Sequence, residues 1–210
     1  MRRGLVLLAS AALLASSCAV PPRDVPLFAR AQVVSDFSTY VVRRVGVLPV
    51  LVPSSRGQAH PGEASFLQDW FVTQVSLGTP YEVVGLPPES LAEIDRDDPR
   101  LRGSHDVAAI VELAKRFKLD GVLLVQVVDQ NPYPPQNVFI TAELVATETG
   151  ATIWSSDVHL DARDPRVRAG LEAFASRDEG STDGADDWSV VMLSPRRFAE
   201  YGLWQIAQML

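Results

Sequence analysis

A mixed α/β (α+β) fold, with a small sheet of about five strands flanked by helices, is predicted from three observations on the 210-residue chain. Strand-like and helix-like segments follow one another in the order β-α-β-α-β-β-β, which sets helices against a mixed sheet. The run Val122-Leu123-Leu124-Val125-Gln126-Val127-Val128 is the most apolar of the strand-like segments and reads as the central strand. Two later runs, Asn137 to Val145 and Ala151 to Val158, are joined through Glu148-Thr149-Gly150 and read as a β-hairpin. The composition agrees with one folded domain rather than a disordered tail or a polytopic membrane protein: 47% hydrophobic, 21% charged, mean hydropathy +0.07.

The chain opens on a sorting signal. Arg2 and Arg3 precede a largely apolar run from Leu5 to Ala15, and the small residues Ser16 and Ser17 follow, the pattern of a secretory signal peptide over residues 1–17. That run is too short to cross a hydrocarbon core, which needs roughly 20 residues. The only cysteine falls directly after it, in Leu14-Ala15-Ser16-Ser17-Cys18, which resembles a bacterial lipobox. Cys18 is therefore the predicted lipidation site and the first residue of the mature chain. Cleavage there removes two arginines and no acids, so the net charge moves from −7 to −9 and the body is expected to stand off an anionic surface. Residues 18–38, with Pro21, Pro22 and Pro26, read as a tether.

The α/β body is expected over residues 39–175. Val45 and Val47, with flanking valines, form a buried strand ending near Pro49 or Pro53. From Glu63 to Leu77 the residues Phe66, Leu67, Trp70, Phe71 and Gln74 or Val75 recur at helical steps, closed by Gly78 and Pro80. Tyr81 to Leu86 is a short strand stopped by Pro87-Pro88. A second helix carries Val107, Ile110, Val111, Ala114 and Phe117, with Ser104 as its N-cap and Lys115, Arg116 and Lys118 in its last turn. Asp120-Gly121 turns the chain into the central strand. Asp164-Pro165 starts a third helix. Residues 176–193 read as a mobile acidic loop, and Ser194-Pro195 opens an amphipathic helix to residue 210.

The chemistry of sites is sparse. An acidic balance of 26 Asp and Glu against 19 Lys and Arg excludes the electrostatic footprint of a nucleic-acid partner. One cysteine excludes a disulfide framework and a multi-cysteine zinc site, and no cofactor or metal motif is recognisable. His60, His105 and His159 have no adjacent nucleophile motif. Asp178, Glu179, Asp183, Asp186 and Asp187 lack the spacing of a calcium loop and read as solvated acids. The aromatic surface of the last helix, with Phe198, Tyr201 and Trp204, is the expected partner-binding or self-association face. Trp154 and Trp188 are the aromatics that a small-ligand or glycan pocket would use.

Three stretches carry a family resemblance: Arg44-Val45-Gly46-Val47-Leu48-Pro49-Val50, Leu119-Asp120-Gly121-Val122-Leu123-Leu124-Val125, and the hairpin from Ala142 to Ser155 with its Thr147-Glu148-Thr149-Gly150 turn and Trp154. Together they resemble bacterial envelope lipoproteins with the fold of the TolB N-terminal domain, a group that includes CsgG, LpoB and lipoproteins of the DUF799 type. The resemblance covers roughly Val41 to Leu160 and is a signature of fold rather than of catalysis. It implies a non-catalytic, lipid-anchored envelope protein that binds another envelope protein as an assembly, activator or transport-accessory factor. By resemblance to Gram-negative lipoproteins, Ala19 after the cysteine implies the outer membrane, facing the periplasm. The paired amphipathic strands of about ten residues that a pore-forming relative inserts are missing, so no pore is expected.

Overall fold

The computed structural model describes residues 25–52, 61–89, 107–177 and 194–210. Cys18, Ser104, Trp188 and most of the acidic loop lie outside the described residues, as do His60 and His105. Among the described residues six strands form one sheet: β1 (Arg30–Val33), β2 (Arg44–Val47), β3 (Glu82–Gly85), β4 (Gly121–Asn131), β5 (Asn137–Ala146) and β6 (Thr152–Asp161). Their order across the sheet is β1-β6-β5-β4-β2-β3. Four α-helices accompany them among the described residues: α1 (Pro61–Gly78), α2 (Val107–Phe117), α3 (Pro165–Ala175) and α4 (Pro195–Ala207). The α+β class expected from the sequence is thus observed, with one strand more than the five read there.

The two halves of the sheet are built differently. β2 runs parallel to both β3 and β4, whereas β4, β5, β6 and β1 pair antiparallel. The connection from β2 to β3 and the return from β3 to β4 cross the sheet in opposite directions. Right-handed crossovers then require their helices on opposite faces. Leu67, Phe71 and Val75 of α1 accordingly share a core with Leu123, Val125 and Val127, while Ile110 and Leu113 of α2 pack with Val122 and Leu124. The first half of β4 is buried on both faces, as its unbroken apolar run required.

The residues that carried the family resemblance prove to be joints. The Asp120 carboxylate accepts from the Arg43 and Arg44 amides, both at 2.9 Å, and so fixes the start of β2 against β4. Thr147 Oγ1 lies 2.9 and 3.0 Å from the carbonyls of Leu119 and Asp120 and donates to them, tying the hairpin turn to the same point. Gly150 ends that turn at φ 70°, where a side chain would be strained.

The first strand corrects the domain boundaries. Residues 18–38 were expected to be tether, yet β1 lies within them and pairs with β6, Arg30 opposite Asp157 and Val33 opposite Trp154. Four residues are too few to display a period-two pattern. The strand is instead held by partners more than 120 positions away in sequence. Among the described residues no helix is long and apolar enough to cross a membrane.

Candidate functional site

The terminal helix is the partner surface expected from the sequence. Ser194 Oγ accepts from the Arg197 amide at 3.3 Å and Pro195 fills the first turn, so the helix starts where its cap signals placed it. From Phe198 to Ala207 every residue is buried. Phe198, Tyr201 and Trp204 are 2%, 0% and 6% exposed. The Tyr201 ring lies 5.2 Å from Phe174 and 6.3 Å from Trp204, and Phe174 in turn meets Trp70 edge-on. These three aromatics therefore belong to the molecule's own core and offer no face to a partner or a second copy. The correction has a simple cause: α1, α3, β5 and β6 all close on this helix, and its aromatic excess is consumed internally.

Two polar residues inside that helix serve other ends. The Glu200 carboxylate is buried and charge-paired with Arg196 Nε at 3.2 Å and Arg197 Nη1 at 3.0 Å. Gln205 clamps the start of the folded chain. Its Oε1 accepts from the Phe28 amide at 2.7 Å and its Nε2 donates to the Pro26 carbonyl at 2.8 Å. The Tyr201 hydroxyl points at the same carbonyl, 3.5 Å away, and burial pushes its pKa far above the usual tyrosine value. Gly170 of α3 completes the clamp, because a Cβ there would collide with the Tyr201 hydroxyl and lie 3.0 Å from Pro26 Cγ. The sequence reading missed Gln205. Its signal was present: a glutamine seven residues after Phe198 sits on the apolar stripe and needs buried partners.

Of the two aromatics of the ligand-pocket reading, Trp154 alone lies among the described residues. Trp154 is 3% exposed and its indole N–H donates to the Met209 carbonyl at 3.0 Å. It contributes to the wall of a shallow depression of about 250 Å³, shared with Gln32, Val33, Val34, Thr152 and Ser155, but shows no ring face on which a sugar could stack. Val33 and Val34 are the apolar surface exposed there, at 56% and 36%.

A polar surface appears instead on the sheet. Val158 and Leu160 of β6 point into the core under α4, so Asp157 and His159 point the other way. The register sets Gln126, Thr141, Asp157 and Arg30 in one row across four strands, with Glu143 and Ser155 in the next. His159 stacks edge-on against Phe139, ring centres 6.1 Å apart. Among the described residues no three His, Cys, Asp or Glu side chains are placed to hold a metal ion.

The fold and these surfaces define an α+β domain on an open mixed sheet, with a buried terminal helix and a clamped N-terminal segment. No family model and no curated protein matches the chain. Among solved structures it is similar to the PelC dodecamer from Paraburkholderia phytofirmans, at 15% identity and a TM-score of 0.44, covering 70% of this chain and 91% of that one. It is similar to lipoprotein GNA1162 from Neisseria meningitidis, at 17% identity and a TM-score of 0.37, covering 67% and 99%. The LpoB C-terminal domain from Escherichia coli matches at 13% identity and a TM-score of 0.34, covering 59% and 91%.

Proposed function

We propose that this chain is a lipid-anchored protein of the bacterial envelope, held at the outer membrane through Cys18 and facing the periplasm. Its body binds another envelope protein, as an assembly, activator or transport-accessory factor, without catalysing a reaction. One observation carries the reading: the only cysteine stands at the end of a signal-like apolar run, seven positions ahead of Val25, from which the folded chain is packed. A lone cysteine placed there has a use as an anchor and none as a disulfide partner within the chain.

Partner binding then falls to surfaces other than the terminal helix. Among the described residues the edge strand β1 has one unpaired side, and Val33 and Val34 add exposed apolar area beside it. The polar rows on β4, β5 and β6 lie next to that edge. The small-ligand alternative keeps Trp188 as its aromatic, since Trp154 is committed to the core.

The decisive experiment is intact mass of the mature protein from membranes, alongside fractionation of a Cys18→Ala variant. The expected result is a chain that begins at Cys18 and carries acyl groups, with the variant released to the soluble fraction. An unmodified soluble wild-type protein would overturn the anchor and bring the ligand-binding alternative forward.

A further inference from the structure

The clamp at Gln205 fixes more than a loop. It decides which side of the body the anchor leaves from. Val25 and Phe28 pack on the core that α1, α3 and α4 cover. Pro26 lies against Gly170 in the middle of α3, and the Phe28 ring sits 6.0 Å from the Arg166 guanidinium. The chain therefore emerges on the helical side of the molecule, beside α3.

Chain length turns that exit point into an orientation. Seven residue steps separate Cys18 from Val25, and they reach at most about 25 Å even when fully extended. A folded body of this size is about 40 Å across. A tether shorter than the body is thick cannot let the opposite face turn to the bilayer. The charge distribution on α3 points the same way. Arg163, two residues before α3, and Arg166 and Arg168 within it are all exposed, on a chain whose net charge is −7. Asp161 Oδ1 accepts from the Arg163 amide and Asp164 Oδ1 from the Arg166 amide, both at 2.8 Å, while Asp164 Oδ2 pairs with the Arg166 guanidinium at 2.9 Å, so Arg163 and Arg168 are the cations of this side that no acid among the described residues neutralises. Guanidinium groups at that surface suit phospholipid phosphates.

We propose that α3 and the Val25–Ala29 segment form the membrane-facing side of the body, apposed to anionic phospholipid headgroups, which turns the polar face of β5 and β6 toward the periplasm. The proposal rests on acylation of Cys18 and goes beyond it, since an anchor alone sets no orientation. It replaces the expectation of a body standing clear of the lipid.

The test uses the acylated full-length mature protein, whose only cysteine is blocked by the anchor, so that a cysteine introduced elsewhere can be labelled alone. Ala169→Cys on α3 and His159→Cys on the sheet are both at exposed positions. Each carries a fluorophore, and the protein is reconstituted on vesicles of phosphatidylethanolamine and phosphatidylglycerol with a headgroup-attached quencher. The label at 169 is expected to be quenched several-fold more than the label at 159, and Arg163→Cys is expected to behave as 169 does. Equal quenching, or more at 159, on protein whose acyl mass is verified overturns the orientation and leaves the anchor standing. Protein that carries no acyl group and does not bind the vesicles overturns both.

Discussion

Helices α2 and α4 have similar lengths and both carry apolar residues at helical spacing, yet they end in opposite environments. α2 buries Ile110 and Leu113 and leaves Glu112, Lys115 and Arg116 in solvent. α4 buries everything between Phe198 and Ala207, including a glutamate and a glutamine. The difference lies in what surrounds them. α2 covers one face of β4 and its neighbours, so one stripe suffices. α4 is enclosed by β5, β6, α1 and α3, and it needs small residues for close approach: a Cβ at Gly202 would come within 2.7 Å of Ile140 Cδ1. An aromatic-rich helix at a chain end is thus no evidence of a partner when four other elements can close over it.

The widest test of this contrast is truncation on each helix. Tyr201→Ala removes the ring that Phe174, Trp204 and Gly170 share and is expected to destabilise by about 3–5 kcal/mol. Leu113→Ala on α2 is expected at the lower end of the 2–5 kcal/mol typical of buried leucines. Urea unfolding of both variants gives the comparison. A smaller loss for Tyr201→Ala than for Leu113→Ala would mean that α4 is the more loosely held helix.

Gln205→Ala sharpens the same point at a single polar group. It strands the Phe28 amide, leaves the Pro26 carbonyl only the longer contact from the Tyr201 hydroxyl, and is expected to destabilise by about 1–3 kcal/mol. Hydrogen exchange separates this from general loosening. The Phe28 amide is expected to lose its protection while the amides of β5 keep theirs, and uniform acceleration would refute the local clamp.

What was legible in the sequence divides along the same line. Local signals located the hairpin, the Asp164-Pro165 and Ser194-Pro195 helix starts, and the central strand, because turns, caps and apolar runs are written in neighbouring residues. β1 and the Gln205 clamp were not legible. Both depend on residues far apart in the chain, 177 positions in the case of Phe28 and Gln205, and four strand residues leave no pattern of their own. The site suffered most. Periodicity identifies an apolar stripe on Phe198, Tyr201 and Trp204 but carries no information on whether α1 and α3 or another protein will cover it.

A third prediction concerns alkaline pH. Burial raises the Tyr201 pKa in the folded state above its ordinary value near 10. The resulting stability is present below that value and is lost as pH rises above it, because the unfolded chain then gives up the proton first. Tyr201→Phe keeps the ring, removes the proton, and is expected to flatten the alkaline fall of thermal stability. An unchanged alkaline slope would show that other tyrosines dominate it.

The smallest expected effect separates the caps of α3 and α4, which share an X-Pro start but differ in charge. The Asp164 carboxylate accepts from the Arg166 amide and pairs with the Arg166 guanidinium at 2.9 Å, which holds its pKa below the usual carboxylate value. The stability this contributes is present above the ordinary carboxylate pKa and is lost as pH falls through the lower, folded value. The pair is exposed, so solvent and salt reduce the effect. Ser194 caps α4 through a hydroxyl that does not titrate in this range. Asp164→Ser would give α3 the same kind of cap, and it is expected to remove a small part of the acid sensitivity while preserving the hydrogen bond to the Arg166 amide. Melting curves recorded through the acid range test this. Identical slopes for the wild type and Asp164→Ser would mean that the Arg166 pair contributes nothing beyond the cap, and that the two helix starts differ in residue type but not in energetics.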